Sequence, residues 1–185
     1  AGAELLEVRS DLHPPQLDLR AAARALPLLL AQRGEAPLPE DWLELASLVD
    51  RESTATAAAP GSLHSLHAPA PLSVEAALAR WPSLPDGAQL KHVEPLGLPA
   101  QFPRLLETQR ALQARFGAER VTVLATGPEA LPFRAVLAQG NALDYLALDG
   151  DWAAAPGQRL LADAVREARH GCLDVRTARL GILGS

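Results

Sequence analysis

Residues 89–125 read QLKHVEPLGLPAQFPRLLETQRALQARFGAERVTVLA. The runs at 89–93 and 121–125 are apolar and of strand length, and the amphipathic stretch 101–116 between them is long enough for a helix. A strand, a crossover helix and a second strand make a parallel βαβ unit. The alternation continues to both sides. Further strands are predicted at 5–9, 26–31, 45–50, 62–67 and 142–148, and further helices at 16–25, 39–45, 73–81, 132–138 and 158–169. The class is α/β with a parallel sheet. The segment 53–61, SerThrAlaThrAlaAlaAlaProGly, is too short and broken for a full crossover helix, so one crossover is reduced.

A chain of 185 residues that is 48% hydrophobic and 21% charged can bury one sizeable core. Its longest apolar run, Ala25-Leu26-Pro27-Leu28-Leu29-Leu30-Ala31, is far below the roughly 20 residues of a membrane span. The single Cys172 excludes an internal disulfide framework, which fits a reducing, cytoplasmic compartment. A net charge of -5 with scattered arginines gives no basic stripe for a phosphate backbone, so neither nucleic acid nor membrane is an expected partner. The chain has no methionine, and an upstream portion is expected.

Of the 17 basic side chains only Lys91 is a lysine, in a composition that otherwise writes positive charge as arginine. An arginine remains protonated, whereas burial can neutralise a lysine amine and make it a nucleophile. Lys91 lies between Leu90 and Val93, where an ammonium would be poorly solvated and the neutral amine favoured. It is therefore read as a Schiff-base-forming amine. His67, on a strand that can lie nearby, offers an imidazole for general acid/base work. His64 competes with it. The two face opposite sides of an ideal strand, so only one points inward.

Charge gathers where the predicted strands end. In Leu5-Leu6-Glu7-Val8-Arg9-Ser10-Asp11 the pleat turns Glu7, Arg9 and Asp11 to one face. The stretches 30–33, 48–52, 63–67 and 90–94 likewise pass from apolar to polar, at the sheet edge where α/β folds build their sites.

The runs Glu4-Leu5-Leu6-Glu7-Val8-Arg9-Ser10-Asp11 and Ser65-Leu66-His67, the Lys91 strand, and Phe133-Arg134 followed by Ala155-Pro156-Gly157-Gln158 together resemble the type I 3-dehydroquinate dehydratases. The likeness spans about residues 1–170. It implies a (β/α)8 barrel that works without a cofactor, converting 3-dehydroquinate to 3-dehydroshikimate and water in the shikimate pathway of aromatic amino-acid biosynthesis. By position, Lys91 is the imine-forming amine and His67 the acid/base. The resemblance further implies that Arg134 holds the substrate carboxylate, that Glu7, Arg9 and Arg33 bind and orient the substrate, and that Gln158 belongs to the closing loop.

The chain also departs from that family. Where the family has Glu-Gly-Gly, whose glutamate helps position the histidine, the text reads Arg33-Gly34-Glu35-Ala36-Pro37, with Glu35 the nearest carboxylate. Ala154 stands in place of a serine. The family's Met-Gly-x-x-Gly-x-x-Ser-Arg stretch becomes Thr126-Gly127-Pro128-Glu129-Ala130-Leu131-Pro132-Phe133-Arg134. Its first strand and helix would precede Ala1, so the barrel is expected to be incomplete. Residues 1–171 are assigned to the barrel. Residues 172–185 are read as a linker and the start of a further domain, since Thr177–Ser185 resembles the opening strand and glycine turn of a shikimate dehydrogenase. The expected partners are the small-molecule substrate, a dehydrogenase domain in the same polypeptide and a second copy in a homodimer. The alternative to catalysis is a degenerate barrel that docks or stabilises such a dehydrogenase.

Overall fold

The computed structural model describes residues 3–52, 62–153, 155, 157–169 and 178–183. The reduced crossover at 53–61, Ala154, and the linker with its Cys172 lie outside them. The strands are β1 (Leu5–Arg9), β2 (Leu28–Gln32), β3 (Ala46–Glu52), β4 (Ser62–His67), β5 (Gln89–Pro95), β6 (Val121–Thr126), β7 (Leu143–Ala147), β8 (Arg159–Leu160) and β9 (Ala178–Leu183). The helices are α1 (Arg20–Ala25), α2 (Glu40–Leu43), α3 (Val74–Arg80), α4 (Phe102–Phe116), α5 (Leu131–Ala138) and α6 (Leu161–Arg169).

Each predicted element has an observed counterpart, with three shifts that have local causes. Helix α1 begins late, at Arg20, with Leu19 as its N-cap residue and the Asp18 carboxylate just ahead of it accepting from the Arg20 amide at 3.0 Å. The start of the stretch predicted as the last helix is drawn into strand β8 beside Leu146 and Ala147. Strand β3 runs on to Glu52 because it pairs with β4 as far as Ser65.

All registered pairs are parallel, in the order β6-β5-β4-β3-β2-β1-β9-β7-β8. Residues 178–183, within the stretch expected beyond the barrel, form β9 of this sheet. Leu5–Val8 on one side and Leu143–Ala147 on the other pair with this strand. β9 thus lies between β1 and β7. Unpaired N–H and C=O groups along β1 and β7 are the physical reason, since an open parallel edge takes up any strand of suitable sequence.

The Asn141 side chain ties the start of β7 to the edge strand β6. Its side-chain amide accepts from the Val123 amide at 2.8 Å and donates to the Val123 carbonyl at 2.9 Å, imitating a strand residue. The Ala142 amide donates to the Val121 carbonyl at 2.9 Å, and the Leu143 amide to Thr122 Oγ1 at 3.0 Å. The Gln109 side chain of α4 donates to Asn141 Oδ1 at 2.7 Å and fixes the amide in place. β6 and β7 are thus joined and the sheet curls into an α/β barrel.

Period-two alternation sorts the side chains. Leu29, Ala31, Leu63, Val93, Leu124, Leu143 and Tyr145 fill the barrel. Leu28, Leu30 and Val8 face outward to meet Trp42 and Leu19. Leu90, Val121, Val123 and Ala125 face outward to meet Leu105, Leu112 and Leu137. His92 and Glu94 also face outward, and are fully buried. His92 Nε2 meets Glu94 Oε1 at 2.7 Å, while Arg104 bridges Glu94 Oε2 at 2.7 Å and also donates to the Leu72 carbonyl. The Leu72 amide in turn donates to Glu94 at 3.3 Å. This cluster pins the loop that follows His67. Glu94→Gln, which removes the buried charge shared by His92 and Arg104, is expected to lower stability by about 1–3 kcal/mol in urea unfolding.

Candidate active site

The carboxyl ends of the strands enclose a cavity of about 380 Å³. Seven residues singled out in the sequence line it: Glu7, Arg9, Arg33, His67, Lys91, Arg134 and Gln158. Strand parity explains the convergence, because Glu7 and Arg9 on β1, His67 on β4 and Lys91 on β5 each occupy inward positions. His64 takes the other face of β4, where it is buried against the Ser62 hydroxyl at 3.0 Å and burial pushes its imidazole toward the neutral form.

The Lys91 side chain is almost fully buried, as its flanking residues suggest, but its surroundings are charged. Its Nζ donates to Asp50 and lies 4.7 Å from the centroid of the Tyr145 ring, within cation–π reach. Asp50 is the hub of the barrel floor: Arg33 meets it at 2.7 Å and the Ser65 hydroxyl also donates to it. Burial pushes this carboxyl up, but the Lys91 and Arg33 cations outweigh burial and hold it at about 2. Arg33, lowered by burial but raised more by Asp50, stays above its ordinary value.

Burial raises Glu7 above its ordinary range, partly countered by Lys91 and reinforced by Asp50. Tyr145 is pushed well above its ordinary value, chiefly by burial and then by Asp50 and Glu7, so it stays a neutral phenol. Arg9 is gripped by Asp11, with Nη2 at 2.7 Å and Nε at 3.1 Å from the two carboxylate oxygens. Arg134 is deeply buried on α5, and its Nη2 donates to the Tyr145 carbonyl at 3.4 Å. Burial lowers it, yet a guanidinium in this setting keeps its charge.

At the rim, the two oxygens of Glu52 meet His67 twice, at 2.8 Å from the backbone amide and 2.5 Å from Nδ1. Burial raises the Glu52 carboxyl, and the bonds from His67 reverse that and set it below the ordinary range. Glu35, the nearest carboxylate in the text, is exposed on the loop after β2. Gln158 is carried by a loop that passes so close to the β6–α5 turn that a Cβ on Gly157, at φ +76°, would lie 2.5 Å from the Gly127 carbonyl oxygen.

Asp50, Glu52 and Tyr145 line or support the site without having been singled out in the sequence. The signal for the first two was present in 48–52, where the pleat puts Leu48, Asp50 and Glu52 on one face. Tyr145 is the sole tyrosine, within an apolar run.

The fold and the cavity define an α/β barrel of the TIM type with an ionisable cluster at its carboxyl-terminal mouth. A solved type I 3-dehydroquinate dehydratase from Clostridium difficile, bearing covalently modified comenic acid, has a similar fold. Its TM-score is 0.62 at 15% sequence identity, over 94% of this chain and 84% of that one. No family model matches the chain, and no curated protein matches it by sequence. Among the described residues no helix is long and apolar enough to cross a membrane.

Proposed function

We propose that this chain is a lyase that dehydrates 3-dehydroquinate to 3-dehydroshikimate through an imine on Lys91. The observation that carries this reading is the single buried lysine sharing one cavity with His67 and Arg134. The barrel likeness to a dehydratase that holds a covalently modified small molecule supports it.

The Lys91 nitrogen attacks the substrate ketone, and the two protons it sheds leave with the carbonyl oxygen as water, giving a cationic iminium. Asp50 faces a positive nitrogen before and after this step, so its charge is matched in both states. The iminium acidifies the neighbouring carbon. His67 takes that proton, the electron pair moves toward nitrogen to give an enamine, and the enamine then expels the β-hydroxyl, which leaves as water with the proton His67 returns. Hydrolysis of the resulting imine frees product and amine. Arg134 holds the substrate carboxylate, and Glu7, Arg9, Arg33 and Gln158 orient its hydroxyl-bearing ring.

The test is borohydride reduction in the presence of 3-dehydroquinate. A stable mass adduct on the Lys91 peptide is the expected result, and folded protein that forms none would sink the proposal.

A further inference from the structure

We infer that Glu52 is the positioning residue of His67: it fixes the neutral ring with its proton on Nδ1 and so presents Nε2 to the cavity as the working nitrogen. The inference rests on the reading of His67 as the acid/base of the proposed reaction. Two adjacent strand ends supply the geometry.

Glu52 is the last residue of β3 and is registered beside Ser65 of β4. Beyond Ser65 the ladder would next be asked to satisfy the His67 amide. Glu52 does this with its side chain, since Oε1 accepts the His67 N–H at 2.8 Å. The other oxygen of the same carboxylate meets Nδ1 of the same residue at 2.5 Å. One rigid carboxylate therefore bonds both the backbone and the ring of one histidine, which restricts both χ angles of that side chain. A carboxylate only accepts hydrogen bonds, so Nδ1 must carry the proton. In the neutral imidazole the lone pair is then on Nε2.

The arrangement is specific to this pair. His67 and Glu52 both line the cavity shared with Lys91, whereas Asp50, two residues back on the same face of β3, is engaged by Lys91, Arg33 and Ser65. The two carboxylates of one strand thus serve different partners, one the lysine and the other the histidine. A free histidine side chain prefers the proton on Nε2, so the bond to Glu52 is what makes the Nδ1–H tautomer the dominant one here.

The experiment uses the full chain labelled with 15N-histidine, with His67 assigned among the five histidines through a His67→Gln variant. At a pH where the ring is neutral, long-range 1H–15N spectra are expected to show the Nδ1–H form for His67. Glu52→Ala is expected to move it to the Nε2–H form. In the same variant kcat for 3-dehydroquinate should fall at least about tenfold with KM changed by less than about threefold. Borohydride trapping on Lys91 should persist. Glu52→Asp, which keeps the charge on a shorter arm, should recover part of the rate. A tautomer unchanged in Glu52→Ala, or an unchanged kcat, overturns the inference. Failure of the reaction reading is seen separately, as a wild-type chain that neither traps nor turns over. The nitrogen spectra then still decide whether Glu52 sets the ring.

Discussion

Asp50→Ala is expected to cost about 3–5 kcal/mol of stability, read as a fall in the urea midpoint. The carboxylate is fully buried, and Lys91, Arg33 and Ser65 all donate to it. Deleting it leaves two cations in the barrel interior without their counter-charge, which is worse than removing a whole pair. Asp50→Asn keeps the shape and loses only the charge, so its loss should be smaller. The pH dependence has a defined sign. The folded carboxyl is held at about 2 against an ordinary 3.8, so its contribution is complete above 3.8 and drains away as the pH falls toward 2. By linkage this amounts to about 2 kcal/mol. Glu7 acts in the opposite sense, because burial raises its carboxyl above 4.5 and acidification toward that value relieves it. Introducing Asp50→Asn into a Glu7→Gln background, and comparing it with Glu7→Gln alone, isolates the Asp50 contribution. An acid limb that stays as steep after Asp50→Asn would refute this account of the hub.

The α/β class with a parallel sheet was legible because its cause is local, whereas the barrel was only what the family resemblance implied. Strand length, period-two parity and intervening amphipathic helices are properties of short stretches, and they put Leu29, Leu63, Val93 and Leu124 inside and Leu28, Leu90 and Val123 outside. The same parity put His67 and His64 on opposite faces without saying which is inward, and the structure turns His67 into the cavity with Lys91. Pairing across strands was not legible, because it depends on stagger. That Ser65 sits beside Lys91 and Glu52 beside Ser65 follows from the register of three strands at once. Hence a lysine read as surrounded by Leu90 and Val93 proves to face Asp50, since Leu90 points to the outer face and only Val93 shares the inner one.

Two further features depend on contacts between distant segments. The place of β9 was hidden because an apolar strand with glycines fits many sheets, and only the two open edges of β1 and β7 choose among them. The role of Asn141 was hidden because an asparagine between a helix and a strand reads as a turn residue. Its amide here ties the start of β7 to β6 by taking both hydrogen bonds of Val123. Glu52 and Glu35 make the same point for the site. Proximity in the text favoured Glu35, but the pleat and the register of β3 against β4 bring Glu52 to the histidine.

Lys91→Arg is the substitution expected to cost most in turnover at least cost to the fold. The guanidinium preserves positive charge opposite Asp50 and can stack over Tyr145, so the buried ion pair survives in altered form. It remains protonated and cannot add to a ketone, so dehydration should fall on the order of 10⁴-fold or more and the borohydride adduct should vanish. Lys91→Ala should lose the same activity and also leave the Asp50 carboxylate with Arg33 as its remaining cation. Its urea midpoint should therefore fall further than that of the arginine variant. The pair of variants separates two jobs of one residue, the charge that satisfies the hub and the amine that does the chemistry. Turnover retained by Lys91→Arg would mean that the nitrogen acts as a fixed cation and that no imine lies on the path. Equal unfolding midpoints for the two variants would mean that the Asp50 hub draws its stability from Arg33 and Ser65 alone.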